Sequence, residues 1–424
     1  MKRIVLFIIL FIQAYSLAAK PVELVLWHSL AGQLGNELKR LIHDFNESQQ
    51  DVVVKPVYKG DYIDSLTSFA AAFRAKQPPV LIQVFEVGTA TMLNPKGIIK
   101  PADDIMIENG YLLPKTSFFP AVRDYYSQSG KLQALPFNTS VPVIFYNADV
   151  LAKAGYSGDN FPKTWEAMDR LAARLKQSGA VCAYSSAYPS WIQIESFSSL
   201  HGLPMTDHHS HKAIYNNQAV IRHLERLRRW QKQHYFEYGG RTSDATVLFT
   251  SGRCAMFSQS SGSYNSLAAL VRFPVGVAAL PLDSQASQKR YPNVAGGAAL
   301  WAVSGYPPEV YRGVARFYAY LTQPENQLRW HQRTGYIPVG LSGVYKDLAT
   351  RSDHPALRIA RLDLSDNNRS DMAHSGPQNQ IRTINDEAME AIFSGLKTPK
   401  QAMDDAVLRA NYTIMRFLRN TGSH

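Results

Sequence analysis

Apolar positions along the first third of the chain repeat with two periods in turn. VELVLW (22–27) has the every-second-residue alternation of a strand. Leu34, Leu38, Leu41, Ile42 and Phe45 then recur at helical spacing through GNELKRLIHDFNES. VVVKPVY (52–58) is the next strand, and DYIDSLTSFAAAFRA (61–75) the next helix, with Asp61 placed to cap it. VLIQVF (80–85) is nearly all apolar, as befits a parallel strand covered on both faces. Strands alternating with helices of this length predict an α/β sheet.

The pattern restarts after Pro136. VPVIFYN (141–147) reads as strand, and PKTWEAMDRLAARLKQSG (162–179) as a helix with Thr164 at its N-cap and Gly179 past its end. Further helices are predicted at 217–234, 309–322, 324–333 with Pro324 at its first position, 380–394 and 398–418. The stretch 350–378 is poor in apolar residues and is expected to wrap the surface rather than form a third domain. No repeat is visible, and no phosphate-binding GxGxxG or GxxxxGK[ST] follows a strand.

Residues 1–19 change the picture. Lys2 and Arg3 precede an apolar run from Ile4 to Ile12, and Ala18-Ala19 suit a signal peptidase. The core is too short to span a bilayer stably, so an exported protein is expected. Its remaining length suits two domains. Loss of Lys2 and Arg3 takes the formal charge from +11 to about +9, a balance that can favour anionic partners. The basic residues are dispersed, which argues against nucleic acid. In the densest cluster, 222–229, Ile221, Leu224 and Leu227 form a buried stripe and the arginines are expected on its solvated face. Cys182 and Cys254 are the only cysteines; export permits a disulfide, but spacing alone leaves the pairing open. The histidines of TDHHSH (His208, His209, His211) read as a polar loop rather than a metal site, since no second ligand cluster accompanies them.

Candidate chemistry lies where strands end. WHS (27–29) follows the first strand, where ligands of open α/β sheets bind. No nucleophile elbow accompanies His28 and Ser29, so a structural or binding role is expected there. Glu86 ends VLIQVF and can accept from ligand hydroxyls, or equally cap a helix or pair with a base. PFNTS places Ser140 at a crossover between sheets. SQSSGS (258–263), AGG (295–297) and TGYIP (334–338) offer close main-chain approach and hydroxyls for an anion. Tyr62, Tyr188, Trp191 and Tyr336 lie near polar turns and combine an apolar face with a hydrogen-bonding group.

Nine blocks in order carry a resemblance over essentially the whole mature chain: WHSLAGQLG (27–35), YKGDY (58–62), AAFRAKQPPVLIQVFEVGTATM (71–92), LPFNTSVPVIFYN (135–147), WIQIESF (191–197), CAMFSQSSGS (254–263), GGAALW (296–301), TQPENQLRWHQRTGYIPV (322–339) and NQIR (379–382). Together they resemble the glycerol-3-phosphate-binding proteins of bacterial ABC importers, within the family 1 extracellular solute-binding proteins. The resemblance implies a two-lobed periplasmic fold of the maltose-binding type, with the ligand cleft between α/β lobes. It also implies a periplasmic protein, monomeric, without cofactor, metal or catalytic group, that delivers sn-glycerol 3-phosphate or glycerophosphodiesters such as glycerophosphocholine to an inner-membrane permease. The ligand contacts it implies are Tyr62, Glu86, Ser140, Trp191, Ser260, Gly297, Tyr336 and Arg382, with Arg382 the bidentate phosphate contact. One position departs: the family has two tryptophans as WxxW, whereas YPSW places Tyr188 before Trp191. Tyr188 is kept in the expected set. Lobe one is expected at 20–136 and 298–340, and lobe two at 137–297 and 341–424. A non-phosphorylated sugar ligand is the main alternative. A secreted phosphodiesterase is the enzyme alternative, and it lacks clustered metal ligands or a nucleophile with its base.

Overall fold

The computed structural model describes residues 20–113, 118–207, 209–338, 355–364 and 376–421. The expected signal segment, His208 and most of 350–378 lie outside them. The first stretch of chain forms β1 (Val22–His28), β2 (Val52–Tyr58), β3 (Leu81–Phe85), β4 (Ile99–Lys100), the small hairpin β5 (Ser127–Gln128) and β6 (Lys131–Leu132), and β7 (Leu135–Pro136). The next forms β8 (Pro142–Asn147), β9 (Cys182–Ser186), β10 (Phe236–Glu237), β11 (Cys254–Ser260) and β12 (Val275–Ala279); β13 (Ala298–Val303) follows. One sheet runs β2-β1-β3-β13-β4, with β7 also on β13, and a second runs β10-β9-β11-β8-β12. The chain thus leaves the first sheet after Pro136, builds the second, and returns through β13.

β1 pairs in parallel with β2 and β3, whereas β13 comes back antiparallel to β3. β3 is central and buried at every position, which explains its uninterrupted apolar run. Pro56 is tolerated because β2 is an edge strand, where a missing N–H breaks no ladder. The first core packs Leu24, Leu26, Ile82 and Val84 with Leu38, Ile42 and Phe45 of helix Gly32–Glu47 and Phe317 and Tyr318 of helix Pro308–Leu321. The second packs Ile144, Tyr184 and Met256 with Met168, Leu224 and Trp230, and with Ile384, Met389 and Met403 from the last two helices.

Helix starts follow side-chain chemistry. Asp61 accepts from the N–H groups of Ile63 and Asp64 at 2.8 and 2.9 Å, and Thr164 from that of Ala167 at 3.2 Å. Pro324 opens its helix and Gly335, at φ +90°, closes it.

Three expectations meet specific structure. Residues Pro355–Leu364 are a helix, and Leu357, Ile359, Ala360 and Leu364 are buried, so this part of 350–378 packs inward rather than wrapping the surface. Its buried Asp363 pairs with Arg290 at 2.8 Å. Within the basic cluster, Arg226 is not on a solvated face: it sits between Asp283 (3.1 Å), Glu166 (3.4 Å) and Asp169 (3.6 Å). Cys182 and Cys254, opposite one another on β9 and β11, form a disulfide.

Candidate functional site

A cavity of about 260 Å³ lies where the two sheets present their loops to each other. Tyr62, Glu86, Gly297 and Tyr336 line it from elements of the first sheet and its helices. Tyr188, Trp191 and Ser260 line it from the second, Ser140 from the crossing between them, and Arg382 from helix Gln378–Phe393. All nine expected residues therefore share one cavity.

Strand ends set these positions. Glu86 follows β3, Tyr188 follows β9 and Ser260 ends β11, while Gly297 precedes the antiparallel β13 and so meets the same edge as Glu86. Two chain crossings run side by side here, since Ser140 and Gly296 exchange main-chain hydrogen bonds at 3.0 and 2.9 Å. Gly297 has φ +100°, and a Cβ there would stand 1.9 Å from the Asn138 carbonyl oxygen, so only glycine fits. Gly262 is required for another reason: a Cβ would come within 2.4 Å of the Tyr336 ring.

The hydroxyl of Tyr62 is oriented by a relay of amides. The Ser29 N–H donates to Gln83 Oε1 (2.9 Å), Gln83 Nε2 to Asn138 Oδ1 (2.9 Å), and Asn138 Nδ2 to the Tyr62 oxygen (3.1 Å). Tyr62 thereby accepts on the protein side and keeps its own proton to donate. Its ring stacks on Phe85 at 5.1 Å with the planes 2° apart. Burial raises the pKa of Tyr62 well above its usual value and pushes Tyr336 up as well, so both phenols remain neutral donors.

The charged part of the site is Arg382 held between two carboxylates. Its Nε and Nη2 donate to Glu195 at 2.9 and 2.6 Å, and Nη1 lies 2.9 Å from Glu86 Oε1. Three of its five N–H donors are thus engaged. Burial alone would lower the Arg382 pKa, but Glu195 and Glu86 outweigh it and keep the guanidinium charged. Burial raises Glu86 despite the opposing pull of Arg382. One helical turn on, Asp386 is buried with Oδ1 lacking a hydrogen-bond partner. Burial pushes its pKa up to about 7, against the lowering effect of Arg382.

Glu195 and Trp191 belong to a seven-residue π-helical segment, Ser190–Ser196. Such wide turns are rare and cluster at functional sites. This one is fixed from behind by Gln193, whose Nε2 donates to Tyr184 (2.7 Å) and Ser186 (2.9 Å), while Oε1 meets His223 Nε2 at 3.0 Å. Trp191 is left facing the cavity with its indole N–H unpartnered.

Glu195, Gln83 and Ser243 carry no assignment from sequence, while Asn138 and Gln259 fall inside the candidate blocks PFNTS and SQSSGS without a role of their own. A glutamate inside the apolar run WIQIESF was a usable signal for the first; the Gln83–Asn138 pair gave none, because its members are 55 positions apart in the chain. The scattered histidines have structural places. His28 is buried, burial lowers its pKa to about 4, and its ring faces Tyr58. His331 Nδ1 lies 2.7 Å from the Tyr336 carbonyl, and His201 Nε2 accepts from the Asp283 N–H at 2.7 Å. His209 and His211 are exposed. Among the described residues, the one group spaced to hold a metal is Cys182, Glu237 and Cys254, whose thiols are consumed in the disulfide.

Residues 40–356 match the family model described as bacterial extracellular solute-binding protein. The chain belongs to that family. The solute-binding protein is 38% identical over 420 residues to the sn-glycerol-3-phosphate-binding periplasmic protein UgpB of Escherichia coli K12, covering 94% of this chain and 93% of the relative. It is 37% identical over 427 residues to the UgpB of Pectobacterium atrosepticum, covering 95% and 94%. Among solved structures, it is similar to UgpB from Mycobacterium tuberculosis in complex with glycerophosphocholine, with TM-score 0.77, 22% identity and coverage of 93% and 98%. The GacH receptor of Streptomyces glaucescens matches with TM-score 0.78 at 16% identity, covering 94% and 99%. The fold of this solute-binding protein is thus the maltose-binding type expected from its sequence.

Proposed function

We propose that this protein binds sn-glycerol 3-phosphate, and glycerophosphodiesters built on it, in the cavity between its sheets. It works in the periplasm, reached through the signal segment 1–19, and delivers its ligand as a monomer to an inner-membrane ABC importer permease. It catalyses nothing. The ligand class comes from relatives whose names state glycerol-3-phosphate binding and which match nearly the whole chain.

The observation that carries the reading is the set of neutral donors converging on one cavity. Tyr62 keeps its proton for a ligand, and Tyr336, Ser140, Ser260 and the Gly297 main chain stand around the same space. Neutral directed donors hold a phosphate without a counter-charge, as main-chain nests do. This assigns the phosphate to the hydroxyl ring rather than chiefly to Arg382, whose charge is already answered by Glu86 and Glu195. The two remaining N–H donors of Arg382 and the oxygens of Glu86 then address the glycerol hydroxyls, and Trp191 lies against the glycerol carbons. A catalytic alternative finds no support at the described buried histidines, since His201 and His331 face main-chain groups, His223 meets the Gln193 amide and His28 lies against Tyr58.

Isothermal titration of the purified protein with glycerol 3-phosphate, glycerophosphocholine, glycerol and maltose tests this. Binding of at least one phosphate compound, with none of glycerol or maltose, is expected. Undetectable binding of both phosphate compounds would overturn the assignment.

A further inference from the structure

Tyr188 is held in a conformation that tyrosine seldom takes. Its φ is +40°, a left-handed backbone region costly for a bulky side chain and kept mainly where the surroundings enforce it. The enforcement is visible: the Tyr188 N–H donates to the Thr242 carbonyl at 3.0 Å, and its own carbonyl accepts from the Ile192 N–H at 3.0 Å, at the start of the π-helical segment. The effect is to turn the ring into the cavity, edge-on to Trp191 with centroids 6.5 Å apart.

The hydroxyl of that ring ends a second polar relay. The Ser260 N–H donates to Gln259 Oε1 at 2.7 Å, which fixes the orientation of the amide. Gln259 Nε2 then faces Ser243 Oγ at 3.4 Å, and Ser243 donates to the Tyr188 oxygen at 3.1 Å. Ser243 and Gln259 also line the cavity. Tyr188 is therefore an acceptor on the relay side, and its own proton is directed to whatever occupies the cavity beside it.

We infer that the Tyr188 hydroxyl, positioned by Ser243 and Gln259, selects glycerophosphodiesters whose second alcohol carries hydroxyls over those ending in a quaternary ammonium. The inference rests on the function proposed above. A polyol head group brings an oxygen that accepts the Tyr188 proton, whereas a trimethylammonium has no acceptor and leaves the donor unpaired as the cavity closes. Trp191 serves either head group through its ring face, so the discrimination falls to Tyr188.

Glycerophosphoglycerol and glycerophosphocholine share the glycerol phosphodiester and differ only in that second alcohol. Titration of the wild type, Tyr188→Phe, Ser243→Ala and Ser243→Thr with both diesters reads the ratio of their dissociation constants. The wild type is expected to favour glycerophosphoglycerol. Tyr188→Phe should reduce that preference about tenfold by weakening glycerophosphoglycerol, with glycerophosphocholine changed less than about twofold. Ser243→Ala should shift the ratio in the same direction by less, and Ser243→Thr should restore it. A general packing role would weaken both ligands together and leave the ratio unmoved, which would overturn the inference. So would a larger loss for the choline diester. If neither diester nor glycerol 3-phosphate binds the wild type, the functional reading itself fails.

Discussion

At the scale of single residues, the site is governed by an excess of buried carboxyl groups. Glu86, Glu195 and Asp386 are each less than a tenth exposed and surround one guanidinium, that of Arg382. Arg241 and Glu390, paired at 2.6 Å nearby, answer each other. One cation cannot compensate three buried anions, and Asp386 is the member with an unpaired oxygen. With its pKa pushed up to about 7 in the fold, from an ordinary 3.8, Asp386 holds a proton that the unfolded chain releases across that interval. Stability from this group is therefore full below about pH 4, falls as pH rises through the window, and levels off above about 7. Asp386→Asn should remove that slope and stabilise the protein at pH 8 by a few degrees in Tm, while changing little at pH 4. Thermal unfolding followed by circular dichroism across pH 4–8 checks this. Parallel Tm profiles for variant and wild type would contradict it.

At the scale of elements, the second sheet separates its staple from its site. Cys182 begins β9 and Cys254 begins β11, whereas Tyr188 follows the end of β9 and Ser260 ends β11. Six residues of extended chain place Cys254 about 20 Å from Ser260. The disulfide closes a segment of 72 residues, so its removal should cost on the order of 2–4 kcal/mol through the unfolded state. Cys182→Ser with Cys254→Ser should lower the denaturation midpoint and leave ligand affinity within about twofold, measured by urea unfolding and calorimetry. A marked loss of affinity in the folded double variant would show that strand ends and site are coupled. Alternation made β1 and β2 legible, unbroken apolar runs β3 and β8, and amphipathic spacing with caps the longer helices; β9, β11 and β12 carry no such mark, since runs like CAYSS and VGVAA are short and rich in small residues. The two-residue strands β4, β5, β6, β7 and β10 were not legible, since so short a run has no period. Nor was the π-helical turn, which depends on Gln193 meeting Tyr184 and His223 across the lobe. Glu86, Ser140 and Ser260 stood out at strand ends and the crossover and the aromatics near polar turns, whereas Arg382 lies within helix Gln378–Phe393 and came only with the family resemblance. The amide relay did not stand out, because Gln83 and Asn138 are 55 positions apart and meet only in the fold.

At the scale of the whole molecule, the cavity is shared between two sheets and the crossings are few and adjacent. Ser140 pairs with Gly296, and Thr139 with Ile337, so three passages of chain lie side by side at one edge. Grouped crossings leave rotation about them as the available motion, and we propose lobes of 20–136 with 298–340 and 137–297 with 341–424. The Glu86–Arg382 pair crosses the gap, joining the end of β3 to a helix packed in the second core. A ligand that touches Tyr62 and Gly297 on one side and Ser260 and Trp191 on the other interacts fully only when the lobes meet, and so favours the closed arrangement over the open one. Small-angle scattering should give a smaller radius of gyration with saturating glycerol 3-phosphate than without it. Glu86→Gln, which weakens the crossing pair, should shift the ligand-free protein further open. Superimposable wild-type profiles with and without bound ligand would reject closure about these crossings. Closure in the wild type with no change in ligand-free Glu86→Gln would instead show that the ion pair follows the motion without biasing it.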